Sequence, residues 1–154
     1  MSQTEPTVKE LMVKTVMALD YNTNARDCAK AMAKRGVSCA VIVQSGSAVG
    51  IVTERDLVSK VLADNMEAKN VLVRDIMSTP LITVSPSAKL TEAAQLMAEY
   101  RVRRLVVVDG QGSLVGIVTA GDLARSLAEK HGYREVLFNA IARYKEGTEG
   151  GPYQ

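Results

Sequence analysis

The sequence is poor in the residues that build metal and redox centres. Its 154 residues include two cysteines, Cys28 and Cys39, and one histidine, His131. Two cysteines and one histidine cannot complete the ligand set of a structural zinc site or supply a disulfide framework. We therefore interpret both cysteines as small apolar side chains of the core and expect neither a metal nor a covalent cofactor.

Long apolar runs are also missing. Uninterrupted stretches such as residues 40–43 and 105–108 fall far short of the roughly 20 residues needed to cross a bilayer. The opening residues, MSQTEPTVKEL, carry acids and a proline where a secretion signal needs a basic start and an apolar stretch. These features predict a cytoplasmic protein that has no membrane segment.

Charge and aromatic content give little support for a nucleic-acid partner. Nineteen basic and 17 acidic residues leave a net charge of +2, and aromatic residues make up 4% of the chain. Few aromatic side chains means few platforms on which bases could stack. Nucleic-acid binding stays an alternative because Arg101 and Arg103 alternate along one predicted strand and could follow a phosphate backbone.

The sequence contains an internal repeat. A shift of 65 positions aligns Met12 with Met77. After one inserted residue, the segment GIVTERDL at 50–57 aligns with GIVTAGDL at 116–123. Matches that keep the same order along the shifted chain indicate two copies of one structural unit.

Each repeat has the periodicity of a strand, a helix, two strands and a second helix. Apolar residues three and four positions apart predict amphipathic helices within 25–33 and 90–97. The β-branched runs at 40–43 and 105–108, each followed by a turn that contains glycine, predict hairpins. The second helix of each repeat is predicted to bury one apolar face, formed by Leu57, Val58, Val61 and Leu62 in the first repeat and by Leu123, Ala124, Leu127 and Ala128 in the second.

This pattern resembles the cystathionine-beta-synthase (CBS) domain. The resemblance rests on GIVTERDL, GIVTAGDL, LITVSPS and RVRRLVVVD. It implies an α/β (α+β) fold in which CBS domains at 7–67 and 72–130 pack about a pseudo-twofold axis, followed by a C-terminal helix and flexible tail at 131–154. It further implies an adenosine-type ligand bound in clefts between the two domains, a homodimer, and regulation of a partner protein.

Both repeats carry a Thr-x-x-Asp motif where the last strand meets the second helix. A threonine followed three residues later by an aspartate is typical of a helix N-cap, which needs no ligand. The same position could bind a ribose, because a carboxylate accepts hydrogen bonds from two neighbouring hydroxyl groups. Both interpretations stay open for Thr53 with Asp56 and for Thr119 with Asp122.

Positive charge is distributed unequally between the repeats. Arg103 and Arg104 precede the buried strand of the second repeat, and Arg55 lies inside the motif of the first. Resemblance to the CBS family implies that basic residues of one domain meet a phosphate held over the other domain's aspartate. We expect Arg103 and Arg104 to serve Thr53 and Asp56, which would make that motif the better phosphate site. A solvated strand edge or an ion pair is the alternative for the two arginines.

The adenine site is implied by the resemblance alone. Main-chain groups near Thr83 and Ala18 would read the edge of the base, and Thr83 is the candidate side chain. Tyr21 stands where the second repeat has Pro86. Stacking on a base and covering the core are both open for this tyrosine.

These observations predict a stand-alone regulatory or energy-sensing module that binds an adenosine-containing ligand, with AMP ahead of ADP and ATP. The alternatives are binding of S-adenosylmethionine or nucleic acid, and an interaction scaffold without a ligand. The lack of a P-loop, a GxSxG motif and a metal-ligand cluster predicts that the protein is not an enzyme. Apolar residues between Val136 and Tyr144 predict a tail helix that packs on its own domain, across a homodimer or against a partner.

Overall fold

The computed structural model describes residues 4–129. The described chain forms two compact units: the first unit is Thr15–Leu81, and the second unit combines residues 4–14 with 82–129. The predicted tail helix and flexible end at 131–154, together with His131, lie outside the described residues.

The helices and strands follow the predicted order in both repeats. In chain order they are α1 (Val8–Leu11), β1 (Ala18–Asp20), α2 (Ala25–Arg35), β2 (Cys39–Gln44), β3 (Ser47–Thr53), α3 (Glu54–Leu57), a π-helical turn (Val58–Leu62), a 3-10 turn (Ala68–Asn70), α4 (Val73–Ile76), β4 (Thr83–Val84), α5 (Leu90–Tyr100), β5 (Arg104–Val108), β6 (Leu114–Thr119) and α6 (Ala120–Glu129). The predicted succession of strand, helix, two strands and helix is confirmed.

Each unit contains a three-stranded sheet with the same topology, β1-β2-β3 in the first unit and β4-β5-β6 in the second. The central strand runs parallel to the strand before the long helix and antiparallel to its hairpin partner. The predicted hairpins are therefore confirmed. The first and third strands lie at the edges of each sheet, and each central strand buries three consecutive residues, 40–42 in β2 and 105–107 in β5.

The long helices begin and end where local chemistry requires. Asn24 caps α2 by accepting a hydrogen bond from the Asp27 amide at 2.9 Å, and Gly36 ends it at a φ of +63°. The positive φ at Gly36 suits glycine, which has no Cβ to clash with the backbone. The predicted apolar stripe of α2 is confirmed in part, since Ala25, Cys28 and Met32 are buried in the core of the first unit, whereas Ala29 and Ala33 are exposed.

The short segment that opens each repeat packs in the unit of the other repeat. Met12 lies against Gly116 in the second unit, and Met77 lies against Gly50 in the first. Both methionines come within 3 Å of the position that a Cβ on the facing glycine would occupy. The segments also join the sheets, with Val13 bridging Ile117 and Ser78 bridging Ile51.

The second helix of the first unit departs from the predicted apolar face. In the second unit Leu123 and Leu127 are buried as expected, whereas Ala124 is exposed. In the first unit, Val58 is 56% exposed and Leu62 is 76% exposed. The Ala63 amide donates to the Val58 carbonyl at 2.8 Å, and this five-residue spacing is that of a π-helical turn. Within that turn Val61 is buried, and Val58 and Leu62 lie on the exposed side.

Candidate functional site

The two Thr-x-x-Asp motifs form the same reciprocal hydrogen bonds. The amides of Thr53 and Thr119 each donate to Oδ2 of the aspartate three residues later at 2.8 Å. The aspartate amides donate back to the threonine hydroxyls at 3.3 and 3.2 Å. Each motif is therefore a capping box, and a box of this kind stabilises a helix by about 1 kcal/mol.

Both carboxylates are withdrawn from solvent. Asp56 is 6% exposed and Asp122 is 5% exposed. A buried carboxylate needs compensating donors, because an unpaired charge in the protein interior is costly. The Oδ2 atoms have two donors each, since the threonine hydroxyls also donate to them at 3.1 and 3.0 Å.

The remaining oxygen, Oδ1, is paired with a different cation in each unit. Lys60 Nζ lies 3.0 Å from Asp56 Oδ1, and Arg125 Nη2 contacts Asp122 Oδ1. Lys60 also donates to the main-chain carbonyl of Ile76 at 2.8 Å. Neither cation was identified from the sequence, although spacings of four and three residues on a helix are a signal for such ion pairs.

The charge on Asp56 affects its surroundings. Burial, together with the negative charge of Asp56, raises the pKa of the Cys28 thiol from 9.0 to about 11. Cys28 is fully buried, and both cysteines are free thiols. Cys28 therefore fits the predicted role of a small core side chain, whereas Cys39 is half-buried.

Five predicted site residues come together at one end of the sheet in the second unit. Arg104 and Thr119 are direct partners across β5 and β6, and the Arg103 carbonyl accepts from the Ala120 amide at 2.8 Å. Thr83 is exposed and is the first residue of β4, where it pairs with Val106, two residues after Arg104 on β5. Asp122 follows one turn after Thr119 in α6.

Arg104 has an unusual environment. Its side chain is half-buried, and its Nη1 atom is buried without an acceptor among residues 4–129. A buried donor that lacks an acceptor costs about 1–3 kcal/mol. A group that supplies an acceptor to this nitrogen would recover that cost.

The first unit gathers fewer cations at the equivalent end of its sheet. Thr53 pairs with Cys39 across β2 and β3, so a cysteine stands where the second unit has Arg104. Arg55 is exposed in the same helical turn as Asp56. The expected pairing of Arg103 and Arg104 with Asp56 joins residues of different units and stays a prediction.

Tyr21 packs against the core of the first unit. The guanidinium carbon of Arg74 lies 5.1 Å from the centre of the Tyr21 ring, and Arg74 Nη1 donates to Asn22 Oδ1 at 2.7 Å. The structure therefore places this tyrosine between core and arginine. Arg74 was not identified in the sequence, because 52 residues separate it from Asn22 and no motif links them.

Comparison with known proteins decides the family. The family model for the CBS domain matches residues 8–63 and 73–129. The chain belongs to the CBS domain family. The two matched segments cover both sheets and both capping boxes.

Individual proteins resemble the chain over most of its length. The protein MK0525 of Methanopyrus kandleri is 39% identical over 117 residues, which is 75% of this chain and 60% of that protein. The CBS domain pair of protein MJ0100, solved with 5'-methylthioadenosine and S-adenosyl-L-methionine, is 29% identical with a TM-score of 0.73, covering 82% of this chain and 99% of that one. CBSX2 from Arabidopsis thaliana, solved with AMP, is 27% identical with a TM-score of 0.68, covering 80% and 96%.

None of the helices within residues 4–129 combines the length and apolar character that a bilayer crossing requires. In that same range, His, Cys, Asp and Glu side chains do not gather in threes as metal ligands would. The capping boxes and the arginines beside them therefore form the candidate site of this CBS pair.

Proposed function

We propose that this CBS pair is a regulatory module that binds an adenosine-containing ligand, with AMP ahead of ADP and ATP. The observation that carries the proposal is the environment of Arg104. Its Nη1 atom is buried without an acceptor within residues 4–129, and Arg104 is the cross-strand partner of Thr119. A phosphate oxygen would supply that acceptor, and an arginine binds phosphate strongly through charge-assisted hydrogen bonds.

The remaining predicted residues provide for the other parts of such a ligand. Asp56 and Asp122 would accept from the ribose hydroxyls, and Arg103 would add positive charge beside Arg104. Thr83 lies on β4, an edge strand, and an edge strand offers main-chain donors and acceptors on one side. Arg55 is exposed and would meet a phosphate that extends into solvent.

Charge favours a nucleotide over S-adenosylmethionine. The phosphate of AMP is an anion, whereas the sulfonium of S-adenosylmethionine is a cation that Arg103 and Arg104 would repel. The complexes of MJ0100 and CBSX2 support adenosyl compounds as the ligand class. We propose binding and regulation, not catalysis, as the role of these residues.

A thermal-unfolding panel tests the proposed function. The panel contains AMP, ADP, ATP, S-adenosylmethionine and adenosine, with GMP as the control for the base. A ligand present at 100 times its Kd stabilises a protein by about 2.7 kcal/mol, which raises the Tm of a domain this size by several degrees. We expect AMP to give the largest shift, and the absence of a shift with every adenosyl compound would leave the scaffold alternative.

Arg104→Met separates phosphate recognition from adenosine recognition. Because the variant removes the guanidinium and keeps an apolar stem, we expect the shift with AMP to fall and the shift with adenosine to remain. Removing a buried donor that lacks an acceptor should leave the unfolding free energy without ligand unchanged or slightly higher. Equal losses for AMP and adenosine would contradict the phosphate role.

We also propose that two copies associate through an apolar surface on the first unit. Val58, Leu62 and Met66 are 56%, 76% and 54% exposed, and contiguous exposed apolar surface is typical of interaction sites. Sedimentation velocity should show a dimer for the wild type and a monomer for Leu62→Glu. Lys69→Glu, which changes an exposed residue outside this surface, is the control and should remain dimeric. A monomeric wild type would contradict the proposal.

A further inference from the structure

Lys60 has two partners, Asp56 and the Ile76 carbonyl, whereas Arg125 has one, Asp122, among residues 4–129. Lys60 Nζ contacts Asp56 Oδ1 at 3.0 Å and donates to the Ile76 carbonyl at 2.8 Å. The Lys60 side chain is 43% exposed, whereas the Arg125 side chain is 76% exposed. An ion pair made by a largely solvated side chain contributes little, because water competes for both partners.

The carboxylate of Asp56 has little capacity left for a ligand. An ionised carboxylate has about four lone-pair positions. The amide and hydroxyl of Thr53 take two of them on Oδ2, and Lys60 takes one on Oδ1. One position remains, but the two neighbouring hydroxyls of a ribose need two, so a ribose must displace Lys60 to bind through both.

The same count applies to Asp122, but the cost of displacement differs. A ribose that displaces Arg125 breaks one largely solvated ion pair. A ribose that displaces Lys60 breaks an ion pair and also loses or strains the hydrogen bond to Ile76. Displacement of Lys60 is nevertheless feasible, since Asp64 and Asp75 line the same surface concavity of about 380 Å³ as Lys60 and would accept its ammonium.

We propose that Lys60 is a specificity-determining residue that lowers the affinity of the Thr53–Asp56 box for ribose, so that the Thr119–Asp122 box fills first. This inference rests on the proposed function. The inference concerns the affinity of the two boxes for ribose. It is separate from the expectation that the motif of Thr53 and Asp56 is the better phosphate site. Its consequence is a graded response, in which the two boxes fill at different ligand concentrations.

The test isolates the Asp56 box and uses adenosine, a probe that has no phosphate. Calorimetric titration compares Asp122→Asn with Asp122→Asn combined with Lys60→Met. The second substitution keeps the apolar stem of the lysine and removes its ammonium. We expect Lys60→Met to tighten adenosine binding about tenfold, the effect of removing one partly buried ion pair and one hydrogen bond to a main-chain carbonyl.

Two further variants serve as a substitute for Lys60→Met and as a matched control. Lys60→Gln, which can still donate to Ile76, should tighten binding by a smaller factor and serves if Lys60→Met does not fold. The matched control is Arg125→Met in an Asp56→Asn background, where adenosine affinity should change less than twofold.

The outcomes separate the two proposals. If wild-type protein binds neither adenosine nor AMP, the proposed function fails. If the wild type binds adenosine but the Lys60 variants bind it no more tightly, the proposed function stands and the inference about Lys60 is wrong. Weaker binding of AMP with unchanged binding of adenosine would make Lys60 a phosphate ligand and would also overturn the inference.

Discussion

The two capping boxes share their backbone geometry but differ in the cations around them. Both place a buried aspartate under the preceding threonine amide with the same 2.8 Å hydrogen bond. In the first box Lys60 contacts both the aspartate and a main-chain carbonyl, and Cys39 lies beside the threonine. In the second box the exposed Arg125 contacts the aspartate, and Arg104 lies beside the threonine. A repeated fold thus supplies the same carboxylate twice, and residues outside the Thr-x-x-Asp motif give each carboxylate a different cation as its partner.

The largest expected effect compares the two aspartates directly. Replacing Asp122 with alanine removes charge-assisted hydrogen bonds to the ribose, so we expect AMP affinity to fall by roughly 1.5–3 kcal/mol. Asp56→Ala should weaken AMP less, because Lys60 already occupies that carboxylate. Isothermal titration of both variants measures the difference.

Stability in the absence of ligand provides the control for that comparison. Both variants lose one cap, so the free energy of unfolding in urea should fall by about 1 kcal/mol in each. Equal losses of AMP affinity would contradict the difference between the boxes. Loss of stability with unchanged affinity would mean that the aspartates are caps and nothing more.

The second comparison concerns the glycines on which the opening segments pack. A Cβ at Gly50 would lie 2.5 Å from Met77 Sδ, and a Cβ at Gly116 would lie 2.8 Å from Met12 Sδ. We expect Gly50→Ala and Gly116→Ala to destabilise the protein by about 1–3 kcal/mol each, since overpacking forces neighbours to move. The main-chain carbonyls of Ser78 and Val13, about 3 Å away, limit how far the methionines can relieve the clash.

Gly110→Ala is the matched control for this pair. Nothing lies within 4 Å of a Cβ at Gly110, so its urea midpoint should stay close to that of the wild type. A loss of stability as large as in Gly50→Ala would show that the backbone freedom of glycine, and not the contact with methionine, is responsible.

The succession of helices and strands could be predicted because it depends on short-range patterns. The apolar stripe of α2, the β-branched central strands and the threonine–aspartate spacing are each visible within a dozen residues. The capping geometry follows from the same short spacing. These parts of the site needed no knowledge of the tertiary structure.

The sequence does not reveal in which unit the segments that open the two repeats pack. Met12 and Met77 occupy equivalent positions in similar segments, so either sheet offers each of them a glycine to pack on. The hydrogen bond from Lys60 to the Ile76 carbonyl could not be predicted from the sequence either, because Ile76 lies 16 residues away. The exposure of Val58 and Leu62 and the π-helical turn that contains them were also hidden, because apolar spacing does not reveal such a turn.

The smallest expected effect uses Cys28 as a probe for the charge on Asp56. The second repeat has Ala93 at the equivalent position, so only the first box has a thiol beside its carboxylate. Because Asp56 raises the pKa of Cys28 in addition to burial, Asp56→Asn should lower that pKa, while Asp122→Asn should leave it unchanged. The carbon-13 chemical shift of the Cys28 Cβ against pH, in a Cys39→Ser background, follows the ionisation of this thiol without requiring a reagent to reach the fully buried side chain.

The same pKa predicts how stability changes in alkali. The thiol of Cys28 keeps its proton up to a pKa of about 11 in the folded chain, compared with 9.0 for an ordinary cysteine. Its contribution to stability is therefore complete below pH 9 and is lost as the pH rises through the folded pKa. Subtracting the unfolding free energy of Cys28→Ala at each pH isolates this contribution from other groups that titrate in alkali. A difference in unfolding free energy that does not change between pH 8 and pH 11 would contradict the raised pKa of this thiol. A pKa that shifts equally in Asp56→Asn and Asp122→Asn would mean that Asp56 does not act on this thiol through its charge.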